Sequence, residues 1–287
     1  MLERNLDVII IGAPRSGTNM LRDVLTSIQS IGSWPCDEIN YIWRHGNVRF
    51  PSDELPPEAA TPKVKKYIRA KFEAMRRELG ADVLVEKTCA NSLRVAFVDE
   101  VIPDAKYLFI YRNGIDATAS AKLRWTAKLD IPYIWEKVRF VPKSDLPYYA
   151  MRYFWSRLYR FVSKENRLAF WGPALGSMQV MMQRYDLEEV CALQWQKCVE
   201  NSEKAFASIA QDRVHRICYE EFVQSPQEEL RRILDFIGRD VSADLIEQAV
   251  AKVSPKNMGK GRQVLGFEKV KKLEQLVGAT LKQYGYL

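Results

Sequence analysis

The chain alternates short β-branched apolar runs with longer stretches of helical spacing. Residues 6–11 are a compact Ile/Val run and read as a buried strand. A glycine-bracketed polar loop follows over residues 12–17. From residue 19 to 31, apolar positions fall at Met20, Leu21, Val24, Leu25 and Ile28, which predicts a helix. Three further strands are predicted over 82–86, 105–111 and 214–218. Helical spacing predicts helices over 63–79, 92–101, 116–123 and 187–209. Ser225-Pro226 reads as an N-cap followed by proline in the first helical position, opening a helix that runs to Ile237 and stops at Gly238. Helices near 243–252 and 267–283 complete the pattern, and Pro51, Pro56, Pro57 and Pro62 mark a loop. Strands alternating with helices predict an α/β fold, three-layered and P-loop-like, with a central, mostly parallel sheet flanked by helices. One domain over residues 1–287 is expected.

Composition narrows the class. Of 287 residues, 47% are apolar and 28% charged, the balance of a globular chain and not of a disordered one. No apolar run approaches the roughly 20 residues of a membrane helix. The start, Met-Leu-Glu-Arg-Asn-Leu-Asp, lacks a signal-peptide pattern, so a cytoplasmic location is expected. Five widely spaced cysteines and two histidines suit neither a disulfide framework nor a zinc site, and no metal is expected. Lys plus Arg (43) exceeds Asp plus Glu (36) by 7, which points to an anionic ligand without naming it.

The candidate chemistry begins at Gly12-Ala13-Pro14-Arg15-Ser16-Gly17-Thr18, between a strand and a helix. Amides at a helix N-terminus bind anions, and Arg15 adds a fork suited to phosphate or sulfate. Thr18 stands where a nucleotide-hydrolase P-loop carries lysine, which argues against the alternative reading as a nucleotide kinase. A second motif, Arg112-Asn113-Gly114-Ile115-Asp116, ends a strand, with Ser120 eight residues beyond Arg112. Glu86-Lys87-Thr88, Cys218-Tyr219-Glu220-Glu221-Phe222 and Gly259-Lys260-Gly261-Arg262 follow the same order along the chain.

Together these elements resemble the sulfotransferases that use 3′-phosphoadenosine-5′-phosphosulfate (PAPS), over residues 8–270. The resemblance implies that Arg15, Ser16, Gly17, Thr18 and Asn19 hold the 5′-phosphosulfate, and that Arg112 and Ser120 hold the 3′-phosphate. It implies a Lys87 that reaches the bridging oxygen, a Tyr219 near the adenine, and Lys260, Gly261 and Arg262 in a loop over the 3′-phosphate. Asn19, Gly114 and Cys89-Ala90 depart from the usual residues of the family. PAPS is thus the expected co-substrate, with 3′,5′-ADP as product.

Sulfuryl transfer needs a base for the acceptor hydroxyl and cations near the leaving phosphate. Arg15 and Lys87 are the expected cations. Some family members carry a histidine two residues after the motif lysine, where this chain has Cys89. Carbohydrate and protein-tyrosine sulfotransferases place a glutamate about 20 residues past the loop, and Glu38 is the corresponding first choice. Asp37 is the runner-up and His45 a distant third.

Residues 122–171 hold 11 Lys/Arg, 4 Asp/Glu and 13 aromatics, so they carry the whole net charge of +7. Stacking on sugar rings and pairing with anions suit that mixture, so a basic aromatic acceptor side at about 122–185 and a carbohydrate acceptor, with anionic groups as an added expectation, are read from it. No nucleic-acid motif accompanies it, so nucleic acid is not expected as a partner. Trp beside Arg also suits peripheral membrane contact. The acceptor, the sulfated position and the oligomeric state are not readable. A PAPS-fold binding module without catalysis is the non-enzymatic alternative.

Overall fold

A computed structural model describes residues 5–125, 139–151, 154 and 171–287. Five parallel strands form one sheet in the order β2-β3-β1-β4-β5: β1 (Leu6–Ile11), β2 (Ile31–Ser33), β3 (Val83–Lys87), β4 (Lys106–Tyr111) and β5 (Val214–Cys218). Register is set by β1, whose Val8 lies opposite Val85 of β3 and Lys106 of β4. Successive side chains of β1 point to opposite faces, as strand geometry requires. Ile9 and Ile11 enter one buried cluster, and Val8 and Ile10 the other. A strand buried on both faces has no polar alternation, which is why its sequence reads as a continuous apolar run.

One face is covered by α1 (Thr18–Thr26), α9 (Pro226–Phe236) and α10 (Ala243–Val250), which contribute Leu21, Leu25, Leu230, Ile233 and Ile246 to the core. The other is covered by α3 (Pro62–Leu79), α4 (Val95–Val101), α5 (Gly114–Trp125), α7 (Leu187–Phe206) and α12 (Phe267–Gln283). Shorter helices are α2 (Asn40–Trp43), α6 (Met178–Arg184), α8 (Tyr219–Gln224) and α11 (Gly261–Leu265).

The first predicted helix ends five residues early, at Thr26. Ser30 takes a left-handed backbone (φ 68°), and Ile31 joins the sheet edge opposite Val83. Ile28 still packs into the same cluster as Val24 and Leu25, so the helical spacing persists through the turn. Residues 89–93 form a 3₁₀ turn ahead of α4, shortening the helix predicted from residue 92. Ser225 does precede α9 with Pro226 in the first turn, but its side chain makes no capping bond. α3 closes on Gly80 in the left-handed region (φ 60°), as a helix C-terminus favours. No helix among the described residues is long and apolar enough to cross a membrane.

Candidate active site

All five strands are parallel, so the loops after β1, β3, β4 and β5 open at one edge of the sheet. That edge is where ligands settle in open α/β sheets. A cavity of about 570 Å³ lies there. It is lined by Arg15, Gly17, Thr18 and Asn19 after β1, Lys87 and Cys89 at the end of β3, Arg112 after β4 and Tyr219 after β5. Glu38 and Asp37 line it from the loop between β2 and α2.

The loop after β1 is tightly curled. Arg15 (φ 71°) and Gly17 (φ 94°) both adopt left-handed backbone. Such a conformation at a non-glycine residue is costly and is found where surrounding contacts enforce it. Arg112 supplies one of them, with Nη1 donating to the Arg15 carbonyl at 3.1 Å. Gly17 is required for space as well, since a Cβ there would lie 2.5 Å from the Tyr219 ring. The first amides of α1 have no intrahelical acceptor and sit at the positive end of its dipole. The Ser16 hydroxyl beside them is fully buried and has no hydrogen-bond partner among the described residues.

Arg112 is held from several directions. Nη2 donates to the Asn257 carbonyl at 2.6 Å and lies 3.6 Å from Asp116, while its guanidinium sits 4.3 Å from the centre of the Tyr219 ring. Asp116 in turn accepts the amides of Gly259 (2.6 Å) and Gly261 (2.7 Å). This docks the 259–261 loop against the start of α5. Arg15 Nε donates to Ser120 Oγ at 2.8 Å, so the first and second motifs touch. Burial, and then Arg124 and Arg112, lower the Arg15 guanidinium from its usual value.

Lys87 is buried, and its ammonium lies 2.7 Å from Asp37 and 3.4 Å from Glu38. Burial alone would lower it, but Glu38 and Asp37 outweigh that and hold it above its ordinary value. Asp37 also pairs with Arg22 at 3.0 Å, whereas Glu38 accepts the Cys89 amide at 3.3 Å. The neighbouring Glu86 is fully buried, and burial pushes its carboxyl up to about 7 against the opposing pull of Thr88 and Lys87. Cys89 lies within reach of Thr18 Oγ1 (3.6 Å), and burial raises its thiol well above the usual range.

Nine of the sequence-selected residues therefore line one cavity: Arg15, Gly17, Thr18, Asn19, Asp37, Glu38, Lys87, Arg112 and Tyr219. Ser16, Ser120, Lys260, Gly261 and Arg262 adjoin the loops without lining it, and Arg262 pairs with Glu274 at 2.6 Å. His45 lies elsewhere, bonded to Asp145 at 2.8 Å and packed on Tyr67.

The sequence reading reached only part of the far wall. Tyr41 and Tyr149 meet edge to face (4.7 Å between centroids), and Trp171, Pro173 and Asn40 complete it. Tyr149, Trp171 and Pro173 fall within the acceptor side expected at about 122–185, whereas Asn40 and Tyr41 lie outside it. Trp135, Trp155 and most of the run 152–160 lie outside the described residues, while Trp125 is fully buried in the core. Among the described residues, no group of three or more His, Cys, Asp or Glu is placed to hold a metal ion.

Comparison with known proteins fits this geometry. The model of the sulfotransferase domain family matches residues 5–279. No curated protein matches the chain. Sulfotransferase STF9 from Mycobacterium avium shares the fold at TM-score 0.55 and 13% identity, covering 100% of this chain and 78% of that one. Mouse sulfotransferase SULT7A1, solved with PAP, aligns at TM-score 0.53 and 16% identity over 98% of this chain and 90% of its own. The sulfotransferase domain of the Synechococcus PCC 7002 olefin synthase gives TM-score 0.52 and 17% identity over 98% and 96%. A match across nearly the whole chain, on a parallel sheet whose strand ends carry the motifs, places this chain in the sulfotransferase domain family.

Proposed function

We propose that this chain transfers the sulfuryl group of PAPS to a hydroxyl of a carbohydrate acceptor, with Glu38 as the base. The observation that carries the reading is the meeting of Glu38 and Lys87, 3.4 Å apart, in the cavity that also receives the 12–17 loop and Arg112. The buried Ser16 hydroxyl, the first amides of α1 and Arg112 Nε, which has no partner among the described residues, suit a ligand with phosphate groups at two points. The SULT7A1 structure is a complex with PAP, and 3′,5′-ADP, the expected product of PAPS, is a ligand of that kind.

In the proposed reaction the acceptor oxygen attacks sulfur in line. The new O–S bond forms as the bond from sulfur to the 5′-phosphate oxygen breaks, and 3′,5′-ADP leaves with those electrons. Glu38 takes the acceptor proton. Lys87 and Arg15 stabilise charge on the leaving phosphate. Asp37 is the poorer base because both Arg22 (3.0 Å) and Lys87 (2.7 Å) neutralise it. Tyr41, Tyr149 and Trp171 offer flat faces for a sugar ring.

The test is transfer of label from [³⁵S]PAPS to mono-, oligo- and polysaccharides, with phenols and sterols as comparison arms. Glu38→Gln is expected to bind 3′,5′-ADP normally and to lose at least a hundredfold in kcat. A Glu38→Gln enzyme with wild-type turnover removes Glu38 as the base, and label on phenols alone removes the carbohydrate reading.

A further inference from the structure

Glu86 is a fully buried carboxylate that the proposed reaction does not use. Its two oxygens each receive a hydrogen bond. Thr88 Oγ1 lies 2.5 Å from Oε1, and Asn91 Nδ2 donates to Oε2 at 2.9 Å. Both contacts lead onward to the loop that bears Glu38.

The first branch is short. Thr88 Oγ1 also accepts the amide of Ile39 at 3.1 Å. A hydroxyl has one proton, and the Ile39 amide is only a donor. With Glu86 ionised, the Thr88 proton goes to Oε1, and the chain runs from Ile39 to Thr88 to Glu86. The second branch runs through Asn91 Oδ1, which accepts Arg94 Nε at 2.9 Å. Arg94 Nη2 then donates to Asn40 Oδ1 at 2.6 Å, and Asn40 Nδ2 to Asp53 Oδ1 at 3.3 Å. Each amide lies between an acceptor carboxylate and a donor guanidinium, which defines its orientation.

Residues 39 and 40 are thus gripped from two sides immediately after Glu38. The Glu38 carboxylate is itself met by Lys87 Nζ and the Cys89 amide. Residues 86–89 therefore supply both the partners of Glu38 and the anchor of its loop. We propose that Glu86 and Thr88 are positioning residues that hold the Glu38 carboxylate at its working distance from Lys87. This inference rests on the reading of Glu38 as the base. Displacement of a catalytic group by about 1 Å costs on the order of a hundredfold in rate, so such an anchor governs turnover without touching the reactants.

Thr88→Val deletes the hydroxyl at nearly constant volume, and Thr88→Ser restores it. Both are to be assayed with the sugar that the labelled-PAPS screen returns, beside Glu38→Gln and with calorimetric Kd values for 3′,5′-ADP. Thr88→Val is expected to lower kcat about 10- to 100-fold, with Kd within about twofold of wild type. Thr88→Ser is expected to recover most of the loss, and Glu86→Gln, which turns an amide toward one of two donors, to reproduce it. Unchanged kcat in Thr88→Val overturns the proposal. So does equal impairment of the Ser and Val variants, or a loss of 3′,5′-ADP affinity that parallels the loss of kcat, because either marks a merely structural role. An inactive Glu38→Gln beside a fully active Thr88→Val removes the anchor alone, whereas an active Glu38→Gln removes the base and the anchor with it.

Discussion

Gly17 shows how much one residue carries in this site. Its φ of 94° is strained for any side chain, and an added Cβ would strike the Tyr219 ring at 2.5 Å. Gly17→Ala is expected to weaken 3′,5′-ADP binding at least tenfold, read by calorimetry, and an unchanged Kd would separate the loop from donor binding. Arg112 fastens the Arg15 and Asn257 carbonyls and stacks on Tyr219. Arg112→Ala removes a charged hydrogen-bonding group worth about 1.5–3 kcal/mol, an expected rise of roughly 10- to 100-fold in Kd. Both positions were legible in the sequence, because loop glycines and strand-end arginines announce themselves by local pattern. The partners of Lys87 were not, since Asp37 and Glu38 stand 50 and 49 residues away along the chain.

At the scale of elements, α7 is fastened by its first turn. Asp186 and Glu189 form a capping box. Glu188 beside them accepts Lys122 of α5 at 2.7 Å and Lys269 of α12. Burial would raise the Glu188 carboxyl, but its bonds to Lys122 and Lys269 prevail and hold it at about 2. A carboxyl depressed in the folded chain stabilises it above the unfolded value, and that contribution is lost as pH falls toward the folded one. Between about pH 4.5 and 2 the unfolded chain takes up a proton that the folded chain refuses, so stability declines through that window. Glu188→Gln is expected to lower Tm at pH 7 by a few degrees and to flatten the decline of Tm below pH 4.5. Calorimetric scans from pH 7 to 2 check this, and identical slopes in the two proteins would refute it. The capping box escaped sequence reading, though Asp186 followed three residues later by Glu189 carries its signature.

For the whole molecule, the site joins residues from 14 to 257 across one edge of the sheet, so its ligand binds the folded chain and not the unfolded one. At 100 times Kd, 3′,5′-ADP is expected to stabilise the fold by about 2.7 kcal/mol, a rise in Tm of roughly 4–5 °C. Mg-ATP is expected to give no comparable shift, and the reverse order would favour a kinase. The parallel α/β architecture and the order of the donor motifs were determined by the sequence alone. Buried strands read as continuous apolar runs, and a phosphate loop is a local turn whose residues are adjacent in the chain. The edge strand β2 was hidden because three residues on a sheet margin carry too little pattern. The wall of Tyr41, Tyr149 and Trp171, the division of Lys87 between two carboxylates, and the Glu86–Thr88–Ile39 chain were decided only in three dimensions. Each joins groups whose proximity comes from helix packing and strand pairing, and local sequence carries no record of such long-range contacts.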